Sequence, residues 1–159
     1  MSEIITLKGI IDEDFVNYRV PSMTLMFPTC NGKCGELCQN KELINAPDIK
    51  ISTADIYERY ANNPISKAIV FQGLEPFDNF EDIFPFLVTF RENSTDDIVI
   101  YTGYTKEEIE QIPYVLARLK QIPNIIIKFG RYIPNQKTHY DNVLGVNLAS
   151  DNQFAEKIS

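Results

Sequence analysis

The chain has little positive charge. Fifteen Lys and Arg stand against 22 Asp and Glu in 159 residues, a formal net charge of −7 at pH 7. Holding nucleic acid by its phosphates takes a basic surface, so the charge argues against that class of partner. No run of 18 apolar residues occurs, and no membrane span is expected. A single histidine, His139, and no recognisable nucleophile–base pair argue against hydrolytic or acyl-transfer catalysis. The opening Met-Ser-Glu-Ile-Ile-Thr lacks the basic segment and apolar run of a signal peptide, so the expected compartment is the cytoplasm. Repeats, low-complexity tracts and linkers are missing as well. With 44% hydrophobic residues, the chain is expected to form one domain over 1–159 with a real core.

Cysteine is scarce but concentrated. The three thiols, Cys30, Cys34 and Cys38, fall within nine residues, and a random scatter would place them so closely on the order of 1% of the time. An odd number of thiols in a reducing compartment does not make a disulfide framework, so metal binding or thiol chemistry is the expectation. In the loop Cys-Asn-Gly-Lys-Cys-Gly-Glu-Leu-Cys, Gly32 and Gly35 allow a short segment to wrap an inorganic centre. Three thiolates can hold three irons of a four-iron, four-sulfur cluster and leave the fourth iron for a small ligand. A structural zinc site would need a fourth ligand, and the one histidine is about a hundred residues away in sequence. Unpaired buried or sensor cysteines are the third alternative.

Apolar runs alternate with helical patterns along the chain. Strands are predicted over 23–27, 67–71, 97–101 and 124–129, with a fifth over 142–147. Helices are predicted over 53–60, capped by Ser52 or Thr53, over about 79–91 with Pro85 inside, and over 106–121. The last of these carries a Thr105/Glu108 capping box and an interruption near Pro113. Strands at roughly 30-residue intervals with helices between them signal βαβ units and a parallel sheet. The near-continuous Ile and Val fit burial on both strand faces. The expected fold is therefore α/β, an open or partial βα barrel, since a complete barrel takes about 250 residues. Ligands of such sheets lie at the carboxyl ends of the strands. Cys30, Gly73 to Pro76, Thr102 to Tyr104, and Gly130 with Arg131 each follow a predicted strand and are expected to gather on one rim. Phe77, Phe80, Phe84, Phe86 and Phe90 are expected in the core.

These residues carry a family resemblance. The cysteine loop after the first strand resembles that of radical S-adenosylmethionine enzymes, and four further segments are similar to the small activating proteins of anaerobic ribonucleoside-triphosphate reductases. Gly73-Leu74-Glu75-Pro76 resembles their Gly-Gly-Glu-Pro segment, and Tyr101-Thr102-Gly103-Tyr104 matches their Tyr-Thr-Gly-Tyr. Phe129-Gly130-Arg131-Tyr132-Ile133 is similar to Asp-Gly-Lys-Phe-Val, and Ser150-Asp151-Asn152-Gln153 to Ser-Ser-Asn-Gln. The likeness covers about 23–153. The chain departs from the pattern in having three residues, not two, between Cys34 and Cys38, in Leu37 where an aromatic is common, in Leu74 for a glycine, and in Phe129 for an aspartate.

The resemblance implies a [4Fe-4S] cluster on Cys30, Cys34 and Cys38 that reductively cleaves S-adenosylmethionine to a 5′-deoxyadenosyl radical. It implies that this radical takes a hydrogen atom from a glycine of the reductase, with an electron donor such as a flavodoxin. Gly73, Leu74, Glu75 and Pro76 would receive the methionine amino group, and Thr102, Gly103 and Tyr104 would line the adenosine site. Leu37 would cover the adenine, and Gly130 and Arg131 would neighbour the carboxylate or ribose. Ser150, Asn152 and Gln153 would hydrogen bond the cofactor or the partner. Local structure offers another role for several of these: a helix cap for Glu75, turn chemistry for Thr102, Tyr104 and 150–153, and plain solvation for Arg131. Other targets also stay open at this point, namely another glycyl-radical enzyme, a small molecule, or a zinc or iron–sulfur module without turnover.

Overall fold

Alternation of side chains decides the architecture. In the computed structural model, which describes residues 3–28 and 46–159, four strands lie side by side and parallel. They are β3 (Ser22–Phe27), β5 (Ala68–Gly73), β6 (Asp97–Tyr101) and β7 (Ile125–Phe129). Met23, Leu25, Phe27, Ile69, Phe71, Ile98, Ile100, Ile125, Ile127 and Phe129 point to one face and join one buried cluster. Ala68, Val70, Val99 and Ile126 point to the other and join a second. Both faces are covered, as a parallel sheet requires.

The two covers differ. Helices lie on the first face. α1 (Thr53–Ala61) starts where Ser52 Oγ accepts from the Asp55 N–H at 3.0 Å, and it buries Ile56 and Tyr60. α2 (Phe80–Asn93) follows a 3-10 turn over Pro76–Asn79 and buries Phe80, Ile83, Phe86, Leu87 and Phe90, one helical stripe. Phe77 is buried with them, and Phe84 packs half-buried against the same cluster. Pro85 sits on the exposed side of α2, where water can replace the hydrogen bond its missing N–H would have made to Glu81. The second face is covered by Tyr18 and by a hairpin of β8 (His139–Asp141) and β9 (Val146–Leu148), which brings Leu144 and Leu148 onto the sheet.

Antiparallel strands flank the parallel four. β2 (Gly9–Asp14) pairs with β3, and β10 (Phe154–Lys157) pairs with β7, giving the order β10-β7-β6-β5-β3-β2. β1 (Ile4–Leu7) and β4 (Ile49–Ser52) form a separate antiparallel ribbon. The α/β expectation holds, and the expected parallel sheet is present as four central strands in a sheet that is mixed because its edges are antiparallel; the described strands do not close into a barrel.

One further expectation is met, the interruption near Pro113, and one changes, the fifth strand. The helix over 106–121 is two helices, α3 (Lys106–Glu110) and α4 (Val115–Leu119), broken at Pro113 with Tyr114 in the left-handed region. The capping box at its start is present, with the Thr105 hydroxyl accepting from the Glu108 N–H and the Glu108 carboxylate from the Thr105 N–H. The fifth strand expected over 142–147 is instead mostly the turn of the β8–β9 hairpin. There Asp141 Oδ1 accepts from the N–H groups of Val143 and Leu144, and Gly145 N–H donates to the Asp141 carbonyl.

The end of β5 is sterically closed. Gly73 has φ +98°, and a Cβ on it would stand 2.4 Å from the Phe27 nitrogen and 2.7 Å from the Met26 Cα. Both obstacles are backbone of the neighbouring strand. Gly73→Ala is expected to cost about 3 kcal/mol or more, since strain and overlap add, and anaerobic urea denaturation checks this through the midpoint.

Candidate functional site

The register of the parallel strands puts Phe27, Gly73, Tyr101 and Phe129 at one end of the sheet. The chain leaves each strand there. Leu74 N–H donates to the Phe27 carbonyl at 2.9 Å, Thr102 N–H to the Lys128 carbonyl at 2.9 Å, and Gly130 N–H to the Tyr104 carbonyl at 2.9 Å. Three of the four groups expected on a common rim are therefore joined. Cys30, Cys34, Leu37 and Cys38 lie outside the described residues. Among the described residues no cluster of three His, Cys, Asp or Glu side chains is arranged to hold a metal ion.

Glu75 is the centre of this rim. It is only 3% exposed, and its carboxylate accepts from the Thr102 hydroxyl at 2.8 Å, the Gly103 N–H at 2.9 Å and the Phe77 N–H at 3.0 Å. It does cap a turn, through Phe77, but as a buried group rather than a solvated one. Burial is the main influence on its acidity and raises its pKa, while the three donors pull the other way. An ionised carboxylate has about four acceptor positions, so about one is left after these bonds.

The neighbouring residues are equally constrained. Leu74 is half-buried and needs no left-handed φ, so the backbone tolerates it where the resembling segment has glycine. Pro76 is buried and opens the 3-10 turn. Thr102 is 2% exposed and also accepts from the Tyr104 N–H at 3.0 Å. The Tyr104 hydroxyl donates to Asp78 at 2.5 Å. Gly103 differs from Gly73: its φ is ordinary, and a Cβ would meet Glu75 Oε1 at 3.6 Å and Arg131 Cγ at 3.8 Å, both normal contacts. Neither backbone conformation nor crowding within the described residues requires glycine there.

The fourth strand end is pinned from two sides. The Gly130 carbonyl accepts from Lys128 Nζ at 2.8 Å and Gln153 Nε2 at 3.2 Å. Arg131 is not simply solvated, because its guanidinium meets the Glu108 carboxylate at 3.1 Å and is 23% exposed. Glu108 thus serves both the α3 cap and Arg131. The 150–153 segment is an internal turn. Gln153 Oε1 accepts from the Ala149 and Ser150 N–H groups, Ser150 Oγ donates to Asn152 Oδ1, and Asn152 Nδ2 donates to the Arg131 carbonyl.

Several polar groups beside this rim, and on the second sheet face leading away from it, were not singled out from the sequence. Lys128, 6% exposed, lies over the Tyr101 ring at 5.5 Å. The Tyr101 hydroxyl donates to the Asn17 carbonyl, and Asn17 Nδ2 reaches both Asp14 and Gln72. Burial, with the carboxylates of Asp14 and Asp141 nearby, raises the Tyr101 pKa. A lone lysine in the apolar run Ile-Ile-Ile-Lys-Phe was the readable signal; Asn17 and Asp14, far away in sequence, offered none.

An α/β protein with a polar rim at the carboxyl ends of its parallel strands is a ligand-binding class. The chain matches the model of the 4Fe-4S single cluster domain family over residues 18–153, and it belongs to that family. It is therefore an iron–sulfur, metal-binding protein, and Cys30, Cys34 and Cys38 lie inside the matched span. No curated protein and no solved structure matches the chain. No helix among the described residues is long and apolar enough to cross a membrane.

Glu75→Ala would strand three donors in a buried place, and a loss of about 3 kcal/mol is expected from the unfolding midpoint. Because burial raises the folded-state pKa of Glu75 above its ordinary 4.5, the folded chain holds that proton more tightly than the unfolded one. The Glu75 contribution is full below the ordinary value and declines as pH rises through the folded-state value. Urea titrations of the parent and of Glu75→Gln over about pH 4 to pH 8 are expected to show a flatter pH dependence in the variant.

Proposed function

We propose that the chain is a radical S-adenosylmethionine enzyme with a partial βα-barrel fold, working in the cytoplasm to install the glycyl radical on an anaerobic ribonucleoside-triphosphate reductase. The observation that supports this best is the Glu75 bridge, which binds the turn after β5 to Thr102 and Gly103 after β6. Those are the segments whose resemblance implies contact with the methionine and adenosine parts of one ligand.

The residues present suit that ligand. On this reading Cys30, Cys34 and Cys38 would hold the cluster; they follow β3 directly in sequence, and the carboxyl end of β3 lies at the rim. The remaining acceptor position of Glu75 and the backbone of 73–76 offer oxygen to an ammonium group. Gly103, with its ordinary φ and uncrowded position, lets a flat base lie against the main chain. Tyr104, tied to Asp78, and Arg131, whose Cγ lies beside Gly103, border that place, and on the same reading Leu37 would cover the adenine and Gly130 would neighbour the carboxylate or ribose. When bound, the cluster and S-adenosylmethionine would supply one-electron reductive cleavage of the carbon–sulfur bond, with the electron from a donor such as a flavodoxin, and so a radical for hydrogen abstraction from the partner's glycine. The chain's own task is to orient the ligand, keep the Glu75 carboxylate charged or shared with the ammonium, and exclude water from the rim.

The test is anaerobic reconstitution, reduction, and incubation with S-adenosylmethionine and a candidate reductase. Methionine and 5′-deoxyadenosine are expected, with a glycyl radical on the reductase by electron paramagnetic resonance. A cluster indifferent to S-adenosylmethionine would overturn the enzyme reading, and cleavage without a radical on the reductase would overturn the partner. Gly103→Ala is expected to keep the parent melting temperature, whereas Gly103→Leu is expected to lower the cleavage rate about tenfold at unchanged iron content, as a misplaced ligand would.

A further inference from the structure

A second concave surface lies beside the rim and has no part in the proposed chemistry. One wall is the entry to α2, with Asp78, Glu81 and Asp82. The other is the bend between α3 and α4, with Ile112 and Tyr114. Together they enclose a cleft of about 370 Å³. Its charge is one-sided: among the described residues that line it, three carboxylates face one cation, Arg118, which is itself engaged with Glu81 at 3.4 Å and stacked over the Phe84 ring.

Tyr114 makes the cleft unusual. Its backbone is left-handed, φ 69°, a conformation that costs a residue with a Cβ about 1–2 kcal/mol. Pro113 before it breaks the helix and explains the bend, but it does not explain an aromatic at the strained position, where glycine would sit without cost. Nor does packing account for it, because the side chain is 74% exposed, and Ile112 two residues away is 37% exposed. An exposed, backbone-locked tyrosine beside acidic groups has the makings of a recognition residue, with a large contact area and little freedom to lose.

We propose that this cleft docks a short segment of a partner protein in which basic side chains flank an apolar one. Asp78, Glu81 and Asp82 would meet the Lys or Arg groups, and Ile112 and Tyr114 would cover the apolar side chain. A simple cation would leave the apolar wall unused, and a net charge of −7 repels anionic lipid and nucleic acid. The Tyr104 hydroxyl donates to Asp78, so a docked segment would enter next to the candidate rim. The docking does not depend on what chemistry the rim performs.

The experiment uses the full chain with its cluster in place and a fluorescein-labelled Lys-Leu-Lys-Leu-Lys peptide, with Glu-Leu-Glu-Leu-Glu as the reverse probe, read by anisotropy under anaerobic conditions. Saturable binding of the first peptide and none of the second is expected. Asp82→Lys is expected to weaken binding about tenfold and Tyr114→Gly about fivefold, with the melting temperature of Tyr114→Gly equal to or above the parent's. Glu58→Lys, on the exposed side of α1, is the control for diffuse attraction and is expected to change nothing. The proposal is overturned if the basic peptide does not bind at about 1 mM, if both peptides bind alike, or if Glu58→Lys weakens binding as much as Asp82→Lys. Failure of S-adenosylmethionine cleavage with these peptide results intact would sink the proposed function and leave the docking site standing.

Discussion

A carboxylate removed from water holds the working end of this molecule together. Burying Glu75 is unfavourable in itself, and the placement is stable because three donors converge on it from the turns after β5 and β6. Those turns belong to segments almost thirty residues apart, and the shared acceptor, with the Tyr104–Asp78 bond beside it, joins them. The remaining joins follow from it: Tyr104 accepts from Gly130, Gly130 accepts from Lys128 and Gln153, and Arg131 is anchored on the helix cap at Glu108. The rim is one connected piece because each of its turns is bonded to the next.

The sheet gives that rim a rigid base. Strict alternation sends the larger apolar side chains of β3, β5, β6 and β7 to the helices and the smaller or more polar ones to the hairpin and Tyr18. Antiparallel strands at both edges end the parallel ladder without needing another helical crossover. The connections that remain, at the carboxyl ends, are free to carry polar chemistry.

The sequence made the central strands legible because Ile and Val run on through positions buried on both faces. It made α2 legible because Phe80, Ile83, Phe86, Leu87 and Phe90 recur at helical spacing. The Thr105/Glu108 box and the break at Pro113 were equally readable, since each acts over a few residues. β1 and β4 were not, because two four-residue strands find each other across more than forty residues with no local turn signal. The β8–β9 hairpin was read as one strand because Val143, Leu144 and Val146 look continuous, whereas Asp141 folds the backbone between them. At the site, sequence order alone implied that Gly73, Thr102 and Gly130 share a rim. It did not imply that Glu75 is buried or that Arg131 is paired, because a charged side chain after a strand is solvated by default and only tertiary partners reverse that.

The unequal covers on the two sheet faces bear on how the protein behaves when it is jostled. The smaller cover, made by residue 18 and the 139–148 hairpin, lies over the side where Thr24, Gln72, Tyr101 and Lys128 sit among small aliphatic groups. Partial opening is easiest where fewest apolar contacts are lost, so transient breathing bares a surface that water can wet. The phenylalanine-rich layer has far more apolar contact to lose, so opening on the other face exposes less of the surface through which neighbouring copies aggregate.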